Sequence, residues 1–444
     1  MQYENLPQDL VDRCLSKGAD AAEVYLETGR QLRVEVRGGE LETVQESSSH
    51  GVGLRVFQEG KMAFAHCNDL SDTSLDDAIA SAVDFARHMT ADEHNVLPTD
   101  TGATEVGGLV DPSLGGMSLD SKVDLITETE QLAMQDSRIT KSDGSRYSEA
   151  EGTVLLANSN GISKDYRSTF CSFGVSVVAE KGDQKSSGGE SCSRRFFADL
   201  VAPAEVAEEA ARSAYEMLDP RMVSTQRAAV VFHPDVARSL LGGILGAING
   251  ERVLQGASFL ADKIGERIGS DLLTVIDDGT RPKGLASSPF DGEGVPTQRR
   301  TIIDGGVLHG FVYNTMVASR AGVESTGNAS RSDFTSLPGI GPHNFYMEAG
   351  GTDPQDIIGA TRSGLYLKGV TGYGINPVNG NFSGGAQGFW IQNGRITFPV
   401  RGLTIAATAE EMLNGIDMVG NDLDLNRSMT APTFRIRSMQ IGGE

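Results

Sequence analysis

The sequence predicts an α+β protein in which strands and tight turns outnumber helices. Glycine is abundant, at 54 of 444 residues, whereas aromatic side chains make up only 6% of the chain. This composition is typical of proteins rich in hairpin turns. Apolar and polar residues alternate over long stretches, which is the period of a half-buried strand, and fewer segments show helical spacing. A chain of this length is expected to form two or three domains.

The first part of the chain predicts a helix, a set of hairpins and a second helix. Leu6 to Lys17 has apolar residues at helical spacing. The following segment alternates, and turn signals at Arg37–Glu40 and Gln58–Lys61 divide it into strands. A helix is predicted after Ser71, and a Pro/Thr/Gly-rich link, LPTDTGATEVGG, follows it.

The same order of elements then recurs, which predicts an internal duplication. The helical segment LDSKVDLITETEQLAMQ leads into alternating strands, and the helical segment AEVAEEAARSAYEML follows them. The hairpin from Gly51 to Ala65 matches the hairpin from Gly174 to Gly188 in spacing. Chance similarity between two β-meanders is the alternative explanation.

We predict a domain boundary near Pro220, where the character of the sequence changes. Residues 1–220 form the N-terminal α+β domain, and its duplicated units are residues 1–100 and 118–220. Residues 221–444 form the C-terminal domain, which we expect to consist mainly of strands.

The C-terminal domain is predicted to wrap its strands around one long helix. AAVVFH and FVYNT have the composition of buried strands, and a helical stretch runs from Pro234 to about Leu254. The Asn393-Gly394 pair, flanked by alternating residues, is a strong signal for a two-residue hairpin turn.

The charge of the chain argues against nucleic acid as a partner. The formal net charge is −22, and a surface this acidic repels phosphate backbones unless a local basic patch is present. The short basic segments around Arg167 and Arg194 are too small to form such a patch.

The sequence also predicts a cytoplasmic protein without a membrane partner. There is no run of about 18 apolar residues, and the N-terminal segment has no apolar signal core. Four cysteines lack CxxC spacing, which favours reduced thiols over a disulfide or metal site. They are Cys14, Cys67, Cys171 and Cys192.

The segment VVFHPDVARSLLGG resembles the start of a metal-binding helix but lacks most of its chemistry. A zinc peptidase helix needs two histidines on one face and a glutamate beside the first. After His233, however, come Pro234, Ala237 at the fourth position and Arg238 at the fifth, none of which ligates zinc. Asp235 is expected to point away from His233. A lone histidine at a helix entrance is more often a capped or packed side chain.

Other candidate residues have structural explanations. Asp277 and Asp278 suit acid–base chemistry, but a strand ending in an Asp-Gly turn explains them as well. Gly384 to Gly388 lacks the lysine of a phosphate-binding loop, and neither His309 nor His343 has a second ligand at useful spacing. An apolar ladder on the long helix is expected to form core or subunit interface. It comprises Leu240, Leu241, Ile244, Leu245 and Ile248.

Several blocks in the second half of the chain resemble the PmbA/TldD family of proteins. The resemblance covers essentially the whole chain, and several blocks in the right order are stronger evidence than any one motif. The blocks are LLTVIDDGTRPKGLASSPFDGEGVPTQRRTIIDGGVLHGFVYN, TGNASR, NPVNGNFSGGAQGFWIQNGRITFPVRG, MVGNDL and QIGGE.

The resemblance implies a complex of two similar chains. In this family, the TldD-type chain carries an HExxxH motif and a cysteine near its C-terminus and is a zinc metallopeptidase. The PmbA-type chain, also called TldE, has the same fold without those ligands and pairs with it. The resemblance implies small unfolded peptides as substrates.

This chain departs from the catalytic type at each of these positions. His233 matches the first ligand, but Pro234 replaces the glutamate, Arg238 replaces the second histidine, and no cysteine follows Cys192. We therefore expect no catalytic residue, metal or cofactor in this chain beyond the remnant His233. Zinc is expected in a TldD-like partner chain that carries HExxxH, as a heterodimer, or the chain forms a homodimer where no such partner exists.

Two alternatives remain. In the first, the chain is an independent metallohydrolase whose atypical site uses His233 with Asp235 and a distant carboxylate or His309. Otherwise it is a regulatory or adaptor protein of the gyrase-modulator type that the family's historical name suggests.

Overall fold

The computed structural model describes residues 3–372 and 374–444 of the chain. The helices are α1 (Leu6–Ser16), α2 (Asp72–His88), α3 (Leu119–Ala133), α4 (Pro203–Tyr215), α5 (Pro234–Ile248), α6 (Gly250–Leu254), α7 (Thr315–Ala321), α8 (Pro354–Gly359) and α9 (Ala409–Gly415). The N-terminal strands are β1 (Ala21–Arg37), β2 (Glu40–Gln58), β3 (Lys61–Cys67), β4 (Ile139–Asn158), β5 (Ser163–Lys181) and β6 (Gln184–Arg194). The C-terminal strands are β7 (Gln226–Phe232), β8 (Val275–Asp278), β9 (Arg299–Asp304), β10 (Val307–Leu308), β11 (Ala329–Ser330), β12 (Gly339–Ile340), β13 (Asn344–Met347), β14 (Ser363–Thr371), β15 (Asn381–Gln392), β16 (Arg395–Thr408), β17 (Ile416–Val419), β18 (Met429–Thr430) and β19 (Phe434–Gly442).

The N-terminal strands form one antiparallel sheet in the order β3-β2-β1-β4-β5-β6. The first strand of each half, β1 and β4, pair with each other along the middle of the sheet. The order helix, three strands, helix occurs twice along the chain. The predicted α+β class is confirmed.

Glycine-containing turns connect these strands where the sequence predicts them. Gly38 and Gly39 both have positive φ, 63° and 79°, and Glu59 and Gly60 have φ of 53° and 73°. Two consecutive positive φ values match the twist of a two-residue hairpin turn, and glycine adopts them without a steric penalty.

Each half of the N-terminal sheet buries its own apolar core under its own pair of helices. Helices α1 and α2 pack on β1 to β3, and α3 and α4 pack on β4 to β6 together with the far end of β1. Every second side chain of a strand lies on the same face of the sheet, and the helices cover the apolar face. The alternation of apolar and polar residues in the sequence therefore corresponds to alternating burial.

The C-terminal domain contains two sheets that share one core. One sheet has the order β16-β15-β14-β7-β19-β17, and an additional pairing between β16 and β19 closes five of these strands on themselves. The second sheet has the order β10-β9-β8-β13-β18. Helix α5 contributes its apolar ladder to the core, where Leu240, Leu241, Ile244 and Ile248 are at most 1% exposed. The ladder is therefore core.

The prediction of one helix from Pro234 to Leu254 is wrong at a single position. Helix α5 ends at Ile248, and Asn249 adopts an extended conformation with ψ of 115° before α6 begins. The Gly250 N–H leaves the helical pattern and donates to the carbonyl of Val312 at 2.9 Å. A side chain at Gly250 would collide with Tyr313, so a glycine is needed where the two segments cross.

The junction between the domains contains a buried cluster of four charged side chains. Arg55 Nε of β2 donates to Glu23 of β1 at 2.8 Å, and its Nη2 donates to Glu293 of the C-terminal domain at 2.8 Å. Arg331 also donates to Glu23. All four side chains are at most 6% exposed. Because each charge has an opposite partner, the cluster fixes the two domains to each other without leaving an unpaired buried ion.

The Pro/Thr/Gly-rich link between the two halves is also attached to the C-terminal domain. Thr104 donates through its N–H to the carbonyl of Pro289 at 2.9 Å and through its hydroxyl to the carbonyl of Thr297 at 2.6 Å. The carbonyl of Gly107 accepts from the N–H of Lys283 at 3.0 Å. The link is therefore an ordered connection between the domains.

No helix within the described part of the chain is both long and apolar enough to cross a membrane.

Candidate functional site

A cleft of about 1040 Å³ lies between the N-terminal sheet and the beginning of α5. One wall consists of β4, β5, β6 and α4, and the other consists of α5 and the loop from Asp424 to Met429. Six consecutive residues of β6, Gly189 to Arg194, line it. Because successive side chains point to opposite faces of a sheet, and residues from both faces of β5 and β6 line the cleft, the cleft extends around the β6 edge of the sheet. Within the described part of the chain β6 pairs with β5 alone, so its outer edge has no strand partner.

His233 lies at the N-terminus of α5 and caps the helix. Its Nδ1 is 3.2 Å from the N–H of Asp235 and 3.1 Å from a carboxylate oxygen of the same residue. Nδ1 accepts from the N–H when it carries no proton and donates to the carboxylate when it carries one, so the position of the ring proton decides which bond forms. The ring also contacts Tyr366 edge-on, with centroids 5.8 Å apart. His233 is held as a helix cap.

The expectation that Asp235 points away from His233 is wrong. His233 is the N-cap, with ψ of 147°, so the angular spacing of helical residues does not apply to the pair. Asp235 also binds Arg427 at 2.8 Å. The hydrogen bond to His233 lowers the pKa of Asp235 well below its usual range, and the positive charge of Arg427 adds to this, whereas burial opposes it. Asp235 is thus an ionised carboxylate with two partners.

The residues at the start of α5 do not fit a zinc site. Pro234 offers no donor atom, Ala237 is buried and has only a methyl group, and the guanidinium group of Arg238 cannot ligate a metal. Asp235 is already neutralised by Arg427. Among residues 3–372 and 374–444, no three His, Cys, Asp or Glu side chains come together in an arrangement that could hold a metal ion.

Asp277 and His343 meet away from the cleft, in the interior of the C-terminal domain. Asp277 accepts from the N–H of His343 at 2.7 Å and from the amide of Asn328 at 2.6 Å. His343 Nε2 is 2.7 Å from the carbonyl of Gly327. Burial raises the pKa of Asp277, although His343 and Asn328 oppose the shift. These contacts tie β8, β13 and the intervening loops together.

The remaining candidates from the sequence are not brought to the cleft. Asp278 accepts from the N–H and hydroxyl of Thr280 and so shapes the turn after β8. His309 lies one residue beyond β10 and is exposed. Gly384 to Gly388 lies inside β15, paired on both sides, and does not form a loop.

The four thiols are free, and Cys14, Cys171 and Cys192 are buried. Burial raises the pKa of both Cys14 and Cys171 to about 12. A thiol with so high a pKa is rarely a thiolate at neutral pH and is therefore a poor nucleophile and ligand.

Sequence reasoning named Asp235 and Arg238 but did not find the residues that meet Asp235 in the cleft. Glu190, Asp235 and Arg427 meet there from three distant parts of the chain, and Arg427 is 3.9 Å from Glu190. No local sequence motif surrounds these residues, so their proximity is seen only once the strand, the helix and the loop are placed in the fold.

Comparison with known proteins shows similarity along nearly the whole chain. Three family profiles match in order: PmbA/TldA metallopeptidase domain 1 over residues 22–89, the central domain over 112–218 and the C-terminal domain over 225–443. The chain is 32% identical over 428 residues to metalloprotease PmbA of Escherichia coli O157:H7, covering 96% of this chain and 93% of that protein. It is 25% identical over 464 residues to a metalloprotease TldD homologue of Haemophilus influenzae, covering 98% and 92%.

A solved structure has the same fold throughout. It is a protein of Bacteroides thetaiotaomicron described as a candidate modulator of DNA gyrase, with a TM-score of 0.91 and 27% identity. The similarity covers 100% of this chain and 99% of that one.

Proposed function

The chain belongs to the PmbA/TldD metallopeptidase family, and on that premise we propose that it is a non-catalytic, PmbA/TldE-like subunit of a zinc metallopeptidase complex. A TldD-like chain that carries HExxxH supplies the zinc, and the complex degrades or trims small unfolded peptides in the cytoplasm. One observation carries the proposal: the helix that begins at His233 has Pro234 and Arg238 where zinc chemistry needs a base and a ligand.

The cleft supports a role in holding peptides. The outer edge of β6 has no strand partner among the described residues, and an extended peptide binds such an edge through main-chain hydrogen bonds. A peptide there would replace the side-chain bonds that the Ser191 N–H makes to Glu190 and the Ser193 carbonyl makes to Arg194. Binding of this kind depends little on side chains, so it suits a protein that accepts peptides of varied sequence.

A second candidate function follows from the names of the relatives, since both are called metalloproteases. In that case the chain itself binds a metal through His233 and Asp235. The close contact of these two residues favours it, whereas the ion pair between Asp235 and Arg427 disfavours it.

Native mass spectrometry with metal analysis, on the chain purified under mild conditions from its own organism, tests the proposal. We expect a heterodimer with a similar-sized chain and one zinc ion that is lost when that chain dissociates. A zinc-loaded homodimer with peptidase activity would show that the chain is an enzyme in its own right. A metal-free homodimer that still retains a target protein would favour the adaptor function.

Replacing His233 with alanine is expected to leave the peptidase activity of the assembled complex nearly unchanged. Loss of the helix cap should lower the free energy of unfolding by about 1 kcal/mol, as for other N-caps. The measurement is hydrolysis of a short fluorogenic peptide by the purified complex, with an alanine substitution at the first HExxxH histidine of the partner chain as the inactive control. If H233A abolished hydrolysis while assembly survived, His233 would have a catalytic function.

A further inference from the structure

The charges in the cleft are unevenly paired. Among the described residues that line it, four are arginines and five are carboxylates. Asp235 and Glu190 both lie near Arg427, at 2.8 and 3.9 Å. Glu209 lies 3.6 Å from Lys368, which enters from β14. These three carboxylates are therefore compensated by neighbouring cations.

The other two carboxylates and one arginine are also occupied. Glu205 accepts a backbone N–H at the start of α4, and Asp424 accepts the N–H of a residue two positions later. Arg146 is 2.9 Å from Glu35. All the negative charges of the cleft thus have a partner within the chain.

Arg194 and Arg238 remain without a carboxylate partner in the part of the chain that the structure describes. Arg194, the last residue of β6, donates only to the carbonyl of its neighbour Ser193, at 2.8 Å. Arg238 is exposed on the second turn of α5, and its side chain makes no hydrogen bond or ion pair with residues 3–372 or 374–444. Two guanidinium groups on opposite walls of the cleft are therefore free to bind an anion.

The surroundings select the kind of anion. A guanidinium group matches the planar carboxylate with two parallel hydrogen bonds. Phosphate offers similar geometry, but a carboxylate is the anion that a bound peptide brings into the cleft. A peptide that pairs parallel to the outer edge of β6 has its C-terminus at the end of the strand where Arg194 lies.

We propose that Arg194 and Arg238 bind the C-terminal carboxylate of a peptide that lies in the cleft. The inference rests on the proposed peptide-handling function and assigns to this chain the anchoring of the peptide end. Arg238, at the position of a missing zinc ligand, thereby serves in substrate recognition.

The test compares two probes that differ only at one end. N-acetyl-tetraalanine with a free C-terminal carboxylate and its C-terminal amide are titrated calorimetrically into the protein in the assembly in which it is isolated. We expect the free acid to bind at least about tenfold more tightly, in line with charge-assisted hydrogen bonds. R194A and R238A should each remove most of this difference. R401A, which changes an exposed arginine outside the cleft, should not.

Three results would overturn the inference. Equal affinity for acid and amide would show that the peptide end is not recognised, although a peptide-binding function would stand. If neither probe bound to the folded protein, the proposed anchoring of the peptide end would also be wrong. The zinc and assembly measurement would then decide whether the proposed function holds. Stronger binding of inorganic phosphate than of the free acid, lost in R238A, would assign the arginines to a different ligand.

Discussion

Leu241→Asp is expected to prevent the C-terminal domain from folding. Leu241 is fully buried on α5, in the core shared by the two C-terminal sheets. The substitution removes apolar burial and places a carboxylate where no cation is available, and such changes cost more than about 4 kcal/mol. The measurement is urea denaturation followed by circular dichroism, together with the yield of soluble protein.

Two control variants separate the effect of the buried charge from that of any change in a helix. Leu241→Met keeps the volume and should cost less than about 1.5 kcal/mol. Leu254→Asp places the same charge on α6 at a side chain that is 47% exposed, and should change stability by about 0.5 kcal/mol or less. A Leu241→Asp protein with native-like stability would mean that this part of α5 is not core.

Arg55→Met is expected to lower the free energy of unfolding by about 3–5 kcal/mol, because one buried carboxylate is left uncompensated. Glu293 loses its cation, and Arg331 alone remains for Glu23. Burial opposes ionisation of Glu23, but in the native protein Arg55 and Arg331 outweigh it and lower its pKa. Chemical denaturation of wild type and variant measures the loss.

The pH dependence of the free energy of unfolding gives a further check on the effect of Arg55→Met. A lowered pKa in the native protein contributes stability that is lost as the pH falls through it, whereas the uncompensated carboxylate of the variant is less costly once it is protonated. The difference in free energy of unfolding between wild type and the Arg55→Met variant should therefore become smaller at acidic pH. Arg30→Met breaks an ion pair with Glu46 whose side chains are 52% and 54% exposed, and should cost at most about 1 kcal/mol. Equal losses in the two variants would contradict the interpretation of the cluster.

Elements that depend on local pattern could be predicted from the sequence. The hairpin turn at Asn393 and Gly394 has positive φ at both residues, as the dipeptide predicts. Helix α1 begins at Leu6 as predicted, because its apolar spacing and the proline in its first turn act within one segment.

Features that depend on distant contacts could not be predicted. The break at Asn249 requires the carbonyl of Val312, and closure of the C-terminal sheet requires β19 to reach β7 and β16. The predicted orientation of Asp235 relative to His233 was wrong, because the N-cap residue does not have helical backbone angles. The cleft itself unites strand, helix and loop residues that carry no common motif.

The anchored link also constrains how the protein is made. Translation releases Thr104 and Gly107 from the ribosome well before their partners in residues 283–297. Until that later segment emerges, the bonding groups of Thr104 and Gly107 face water, whereas the carbonyls of Leu97 and Pro98 already accept from Asn160 and Asn158 of the N-terminal domain. A nascent chain therefore fixes the middle of the link only when the second domain is made, so truncation of the C-terminal domain should loosen the link around Thr104 and Gly107.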